Sequence, residues 1–134
     1  MANPNIVQVT TINGKSMGYG LTTSNGVMIP PLQTSPYAVP NDQVYKINSI
    51  TVANVTTGTT AWVSVWRGTN SIAAPYGAGS VNGYLAYQID VPPKTSISIL
   101  GKSTSIYLNE GHQIVAVTNT NSVLEFSASY EVIS

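Results

Sequence analysis

The sequence of this 134-residue chain has no cysteine and very little charge. Without cysteine, the chain can form neither a disulfide framework nor a thiolate zinc site. Asp, Glu, Lys and Arg make up 7% of the residues, compared with about a quarter in a typical domain. The net charge is 0 and the five basic residues are scattered singly. This distribution gives no electrostatic footprint for nucleic acid.

Titratable side chains are equally scarce. The chain contains one histidine and five acidic residues, whereas an acid–base or metal site needs several such groups to converge. We therefore predict a non-enzymatic protein with no catalytic residue, no metal and no cofactor. A surface with so little charge also lacks the self-repulsion that keeps monomers apart, which favours close association between copies.

The sequence shows no targeting or membrane segment. Residues 1–5 lack the basic region and apolar run of a signal peptide, and no apolar run is long enough to span a bilayer. These absences favour a soluble protein made in a cytoplasm, with no membrane partner. The hydrophobic content of 43% favours one folded domain over disorder.

The apolar pattern has period two nearly throughout, which is typical of β-strands. The last strand shows it best, because its large apolar residues face one way and Glu or Ser face the other. The residues on its apolar face are Leu124, Phe126, Ala128, Tyr130 and Val132. Residues 85–91 alternate in the same manner and predict a half-buried strand. Further short strands are expected at residues 95–100, 105–108 and 112–118.

In residues 44–55 the alternation slips by one position. Tyr45 and Ile47 share one parity, whereas Ile50 and Val52 share the other. A β-bulge near Asn48-Ser49 would put all four side chains on one face. No window shows a persistent helical pattern. The fold class predicted is all-β, an antiparallel β-sandwich of the jelly-roll or Ig-like type.

Two regions interrupt the strand pattern. Residues 1–36 are rich in proline, which is tolerated only at strand edges and in loops. We interpret residues 1–36 as an extended N-terminal arm and residues 37–134 as the sandwich domain, although residues 6–9 and 27–29 could form edge strands. Residues 68–83 form a long Gly-rich loop, and loops of this length are usually functional or mobile.

The only histidine lies in the stretch Asn109-Glu110-Gly111-His112. Gly111 can take a positive φ, so these residues suit a tight turn between two strands. On this interpretation the turn lets residues 106–108 pair with residues 114–116. The alternative is a metal held by His112 across the three-fold axis of a trimer, for which the chain offers no partner ligand.

Four aromatic residues are the candidate binding residues. Trp62 and Trp66 share one face of a strand, where they form core, a subunit interface or a flat platform for sugar rings. Because aromatic residues dominate core and interface energetics, core or interface is favoured. Together with Trp66, residues Tyr76 and Tyr84 could complete a carbohydrate-binding face.

Several motifs occur in a fixed order along the chain. Pro40 precedes a strand that ends in Val52-Ala53-Asn54, and a proline turn follows at Val91-Pro92-Pro93-Lys94-Thr95. A Leu-x-Glu-Gly hairpin follows at Leu108-Asn109-Glu110-Gly111, and the chain ends with a Tyr130-Glu131 strand. Over residues 37–134, this order resembles small virion structural proteins of tailed phages, notably those that infect cyanobacteria.

The resemblance implies a β-sandwich displayed in many copies on a virus particle, without catalytic residues. On that basis we expect a capsid decoration, or cement, protein that binds the major capsid protein or other virion proteins and is located in the virion after synthesis in a bacterial cytoplasm. A homotrimer is the expected assembly, because closed symmetry is the usual solution for such subunits. The alternatives are a neck or tail accessory protein and a surface-displayed carbohydrate-binding module.

Overall fold

The computed structural model describes residues 11–24, 26–30, 38–69 and 81–134, apart from the side chains of Val81, Asn82 and Lys102. Nine strands form two sheets within these residues. In chain order they are β1 (Ile12–Gly20), β2 (Gly26–Ile29), β3 (Val44–Asn54), β4 (Ala61–Thr69), β5 (Val81–Val91), β6 (Ser96–Leu100), β7 (Ile106–Leu108), β8 (His112–Thr118) and β9 (Leu124–Ile133). The described residues contain one helical turn, a 3₁₀-helix at Lys102–Thr104, and no helix long and apolar enough to cross a membrane.

The strand order defines a jelly roll. In the first sheet the order is β1-β9-β3, with β6 and β7 both on the far side of β3; in the second it is β2-β8-β4-β5. Every pairing is antiparallel. The pairs β1–β9, β2–β8, β3–β6 and β4–β5 are nested along the chain, and the pairings of β3 with β9 and of β4 with β8 join these pairs within each sheet. A long antiparallel ribbon folded across itself gives this arrangement, which is one of the two sandwich types that the sequence predicts.

The core lies between the two sheets and is built from the alternating residues of each strand. The inward residues of β9 are buried and pack in one cluster with β3, which confirms the alternation expected for the last strand. The register between β3 and β9 shifts between Ile47 and Ser49. As a result Tyr45, Ile47, Ile50 and Val52 all enter the same core. The bulge predicted from the slipped alternation is therefore confirmed.

The N-terminal boundary differs from the expected one. Strand β1 pairs with β9 along its whole length, and β2 pairs with β8. Leu21 and Ile29, which lie in this region, are fully buried in the core. Strands β1 and β2 therefore belong to the sandwich and not to an arm. The sequence of β1 is rich in Gly, Ser and Lys and shows little apolar alternation, because β1 is an exposed edge strand. Residues 1–10, including the suggested strand at 6–9, lie outside the described residues.

The turn at Gly111 has the expected local geometry but a different role. Gly111 has φ of 79°, and the amide of His112 donates to the carbonyl of Asn109 at 3.1 Å. However, β7 pairs with β3 in the first sheet, while β8 pairs with β2 and β4 in the second. The turn therefore carries the chain from one sheet to the other, and the expected pairing of residues 106–108 with 114–116 is wrong.

Candidate functional site

Trp66 lies on the outer face of the second sheet, opposite the core. In the register of β4, Val63 and Val65 point into the core, whereas Trp66 lies opposite Val115 of β8 and Tyr84 of β5. Trp66 is only 4% exposed and packs with Val27 and Val115 in a second, smaller apolar cluster. Its indole nitrogen Nε1 has no hydrogen-bond partner among the described residues.

Next to Trp66, strand β5 carries exposed apolar side chains. Tyr84 is 48% exposed, Tyr87 58% and Ile89 43%. We call these three residues the aromatic edge. The ring centroid of Tyr84 lies 5.7 Å from that of Trp66 and 4.9 Å from that of Tyr87. The aromatic edge thus continues from a buried tryptophan to the open side of the sheet.

Strand β5 does not follow its predicted burial. The alternation of residues 85–91 predicts that Leu85, Tyr87 and Ile89 share a half-buried face, but Tyr87 and Ile89 are exposed. The register between β4 and β5 shifts at three places, and Gln88 has φ of 47°. These bulges re-aim the side chains, and the displaced amide of Gln88 donates to Ser64 Oγ at 2.9 Å.

Of the four aromatic candidates, the three that the structure describes do not lie in one plane. Trp62 is half-buried on β4, Trp66 is buried, and Tyr84 is exposed on β5; Tyr76 lies outside the described residues. The plane of Tyr84 is tilted by 59° from Trp66 and by 78° from Tyr87. A sugar ring stacks on an exposed face, and these geometries place ring edges against ring faces. The arrangement fits an apolar contact surface better than a carbohydrate platform.

A pocket opens beside the aromatic edge. It has a volume of about 210 Å³ and is lined by Arg67, Gly83, Tyr84, Leu85 and Ile106. Arg67 follows Val63 and Val65 on the inward side of β4, opposite Ile114. Because Ile106 belongs to the first sheet and the other residues belong to the second, the pocket lies at an end of the sandwich where the two sheets part. Sequence reasoning missed this site, although a charged residue at the end of a row of inward valines was a visible signal.

The histidine lies at the same end of the sandwich as Arg67. Burial lowers the pKa of His112 below its ordinary value, and the positive charge of Arg67 lowers this pKa further. The ring nitrogen Nδ1 has no hydrogen-bond partner among the described residues. The neighbouring Glu110 accepts a hydrogen bond from the amide of Asp42 at 3.2 Å. Within the described part of the chain, no three His, Asp or Glu side chains are grouped so that they could hold a metal ion.

Comparisons with known proteins give a likeness of fold only. No family model and no curated protein matches the sequence. Among solved structures, the chain is similar to a subunit of Bacillus endospore appendages, described as a novel family of disulfide-linked pili. The TM-score is 0.51 at 12% identity, over 99% of this chain and 92% of that chain. Since the present chain has no cysteine, it cannot form disulfide links of this kind.

A second solved structure is more distant. It is the virus-like particle of extra small virus (XSV) from the giant freshwater prawn Macrobrachium rosenbergii, with a TM-score of 0.42 at 10% identity, over 98% of this chain and 86% of that chain. At this score the likeness carries no argument about the present chain.

Proposed function

We propose that this protein is a non-enzymatic structural subunit of a virus particle, and specifically a capsid decoration protein. The observation that carries the proposal is the aromatic edge: Tyr84, Tyr87 and Ile89 are all exposed on β5, the edge strand of the second sheet, and the rings of Tyr84 and Tyr87 are in contact. Soluble monomers seldom leave a row of large apolar side chains uncovered, and such rows mark contact surfaces.

The chemistry of strand β5 agrees with a contact surface. Edge strands that stay free are usually protected by lysine, proline or very short length. Strand β5 has 11 residues, and the sequence of its span contains neither lysine nor proline. The exposed carboxylate of Asp90 and the bulges of the strand remain as protection against uncontrolled pairing. These features suit a surface that is covered by a specific partner.

Three further observations support a particle subunit. The jelly roll is a frequent fold of capsid proteins. The resemblance over residues 37–134 is to phage virion proteins. Moreover, a lattice rewards a small domain with low charge, because contacts repeated over many copies add through multivalency. The proposed partners are the major capsid protein and other copies of this chain, arranged as a trimer. An arm over residues 1–10 remains part of the proposal.

The test is binding of the purified protein to expanded capsids that lack it. We expect saturable co-sedimentation, which is weakened at least tenfold in the double variant Tyr87→Ser, Ile89→Ser, because both side chains would be buried in the contact. The matched control is Tyr107→Ser, which removes a similarly exposed aromatic side chain from the first sheet. Deletion of residues 1–10 tests the arm in the same assay.

Two results would contradict the proposal. If the folded wild type does not bind capsids, the decoration role is wrong; saturable binding to purified necks or tails would then assign the protein there. If the control variant and the double variant lose binding equally, the aromatic edge is not the contact surface.

A further inference from the structure

Arg67 lines the pocket beside the aromatic edge, and none of the other described residues that line it is acidic. Arg67 makes no hydrogen bond or ion pair with any of the described residues, and its positive charge adds to burial in lowering the pKa of His112. Arginine that is fully buried is almost always paired with an acid, and burial of the half-buried Arg67 by a partner would create the same requirement. The half-buried Arg67 therefore has an unfilled capacity for an anion.

The walls of the pocket define what kind of anion fits. Leu85 and Ile106 are half-buried aliphatic residues that pack against the core, and Tyr84 closes the side towards the aromatic edge. Such walls match a short methylene stem that ends in one carboxylate. The planar fork of arginine binds a carboxylate through two parallel hydrogen bonds, and a single positive charge is neutralised by a single negative one.

The volume of the pocket favours an acidic side chain over a free metabolite as the ligand. Its volume of about 210 Å³ lies below the range of about 300–1,000 Å³ that is typical of small-molecule sites. One acidic side chain can enter it. Tyr84 lines both the pocket and the aromatic edge, so a partner that covers the edge also reaches Arg67.

We propose that the Arg67 pocket binds an aspartate or glutamate side chain of the partner protein that covers the aromatic edge. The inference rests on the proposed function for the existence of that partner, and it adds the chemistry by which the partner is recognised. The aromatic edge supplies apolar burial, and the carboxylate in the pocket sets the register and orientation of the contact.

The first experiment uses the isolated protein and a minimal probe. Arg67 is the only arginine in the chain, so its Nε–H gives a unique signal in a ¹H–¹⁵N NMR spectrum. The probes are N-acetylglutamate N-methylamide and, as the uncharged control, N-acetylglutamine N-methylamide. We expect a saturable shift of the Arg67 signal with the glutamate probe only. The His112 ring, also unique in the chain, should titrate at a higher pH when the glutamate probe is bound. Equal shifts with both probes, or none, would overturn the proposal.

The second experiment uses the capsid-binding assay. Arg67→Gln should weaken binding about tenfold or more, since a hydrogen bond to a charged group contributes about 1.5–3 kcal/mol. Arg67→Lys keeps the charge but loses the fork, so it should recover only part of the affinity. The control is Lys94→Gln at an exposed site on the turn after β5, which should bind as the wild type does. Urea unfolding of each variant shows whether the fold is retained.

The outcomes separate this inference from the proposed function. If capsids bind and Arg67→Gln binds equally well, the pocket is not used and the decoration role stands. If capsids do not bind but the glutamate probe saturates the Arg67 signal, the pocket stands and the decoration role fails. A third outcome is that the chain dimerises with rising concentration and that the glutamate probe disrupts the dimer. The acidic side chain in the pocket then comes from a second copy of this protein, and the proposal of a different partner protein is wrong.

Discussion

The side chain of Asn54, at the end of β3, donates a hydrogen bond to the carbonyl of Val91, at the end of β5, at 2.8 Å. The same amide nitrogen donates to the carbonyl of Thr59 at 2.7 Å, and the amide oxygen accepts from the backbone nitrogen and the hydroxyl of Thr56. Asn54 is buried, and its amide makes four hydrogen bonds. It joins the last residue of a strand in one sheet to the last residue of a strand in the other.

Replacing Asn54 with alanine should therefore lower the free energy of unfolding by about 3 kcal/mol, because buried carbonyls are left without donors. The measurement is urea unfolding followed by tryptophan fluorescence. Asn121→Ala is the matched control, since among the described residues the exposed Asn121 accepts one hydrogen bond, from the amide of Thr23; its loss should cost less than about 1 kcal/mol. Equal costs for the two variants would show that Asn54 does not hold the sheets together.

The turn at Gly111 should be sensitive to a side chain for backbone reasons alone. A Cβ at this position would meet no atom within 4 Å, but φ is 79°, and the left-handed conformation costs an L-residue about 1–2 kcal/mol. Gly111→Ala is expected to lower the unfolding free energy by this amount. At Gly58 a Cβ also meets nothing and φ is not in the left-handed region, so Gly58→Ala should change stability by less than about 0.5 kcal/mol. A neutral Gly111→Ala would contradict the strain argument.

His112 should make the folded state sensitive to mild acid. Its folded pKa is lowered from 6.5 by burial, and further by Arg67. Well above pH 6.5 both states are neutral at this residue, and it contributes no pH dependence. As the pH falls from 6.5 towards the folded pKa, the unfolded state binds more protons, so the free energy of unfolding falls.

The measurement is a series of urea unfolding curves on both sides of this pH for the wild type and for His112→Gln. The variant should lack the part of the slope that the wild type shows just below pH 6.5. The carboxylates remain in both proteins, so their contribution cancels in the difference. Identical pH profiles would show that His112 is not desolvated in the folded state.

The two tryptophans should differ in their access to solvent. Trp66 is 4% exposed, whereas Trp62 is half-buried on the same strand. In Trp62→Phe, Trp66 is the remaining tryptophan, and acrylamide should quench its fluorescence weakly. In Trp66→Phe, where Trp62 remains, quenching should be stronger. Stronger quenching of Trp66 would place its ring in solvent and reopen the carbohydrate platform as a function.

Local features of this fold follow from the sequence because they depend on which side chains prefer the interior. The alternation in β9 requires one buried face. The slipped alternation before Ile50 requires an extra residue if both halves of β3 are to face the same core, and the bulge lies there. Likewise, Gly111 lies two residues after Asn109, which favours turns, and its backbone has the positive φ that glycine accepts without steric cost.

The strand partners and the candidate site were decided by the tertiary structure. The residues of β7 and β8 have strand patterns, but whether a turn joins neighbours in one sheet or crosses between sheets depends on which edges are free in the whole fold. Strand β1 has almost no apolar alternation and forms because β9 offers it an edge. The bulges of β5 expose Tyr87 against its own pattern, and the Arg67 pocket combines β4, β5 and β7. Periodicity records the burial of each segment, whereas these features arise from contacts between residues far apart in the chain.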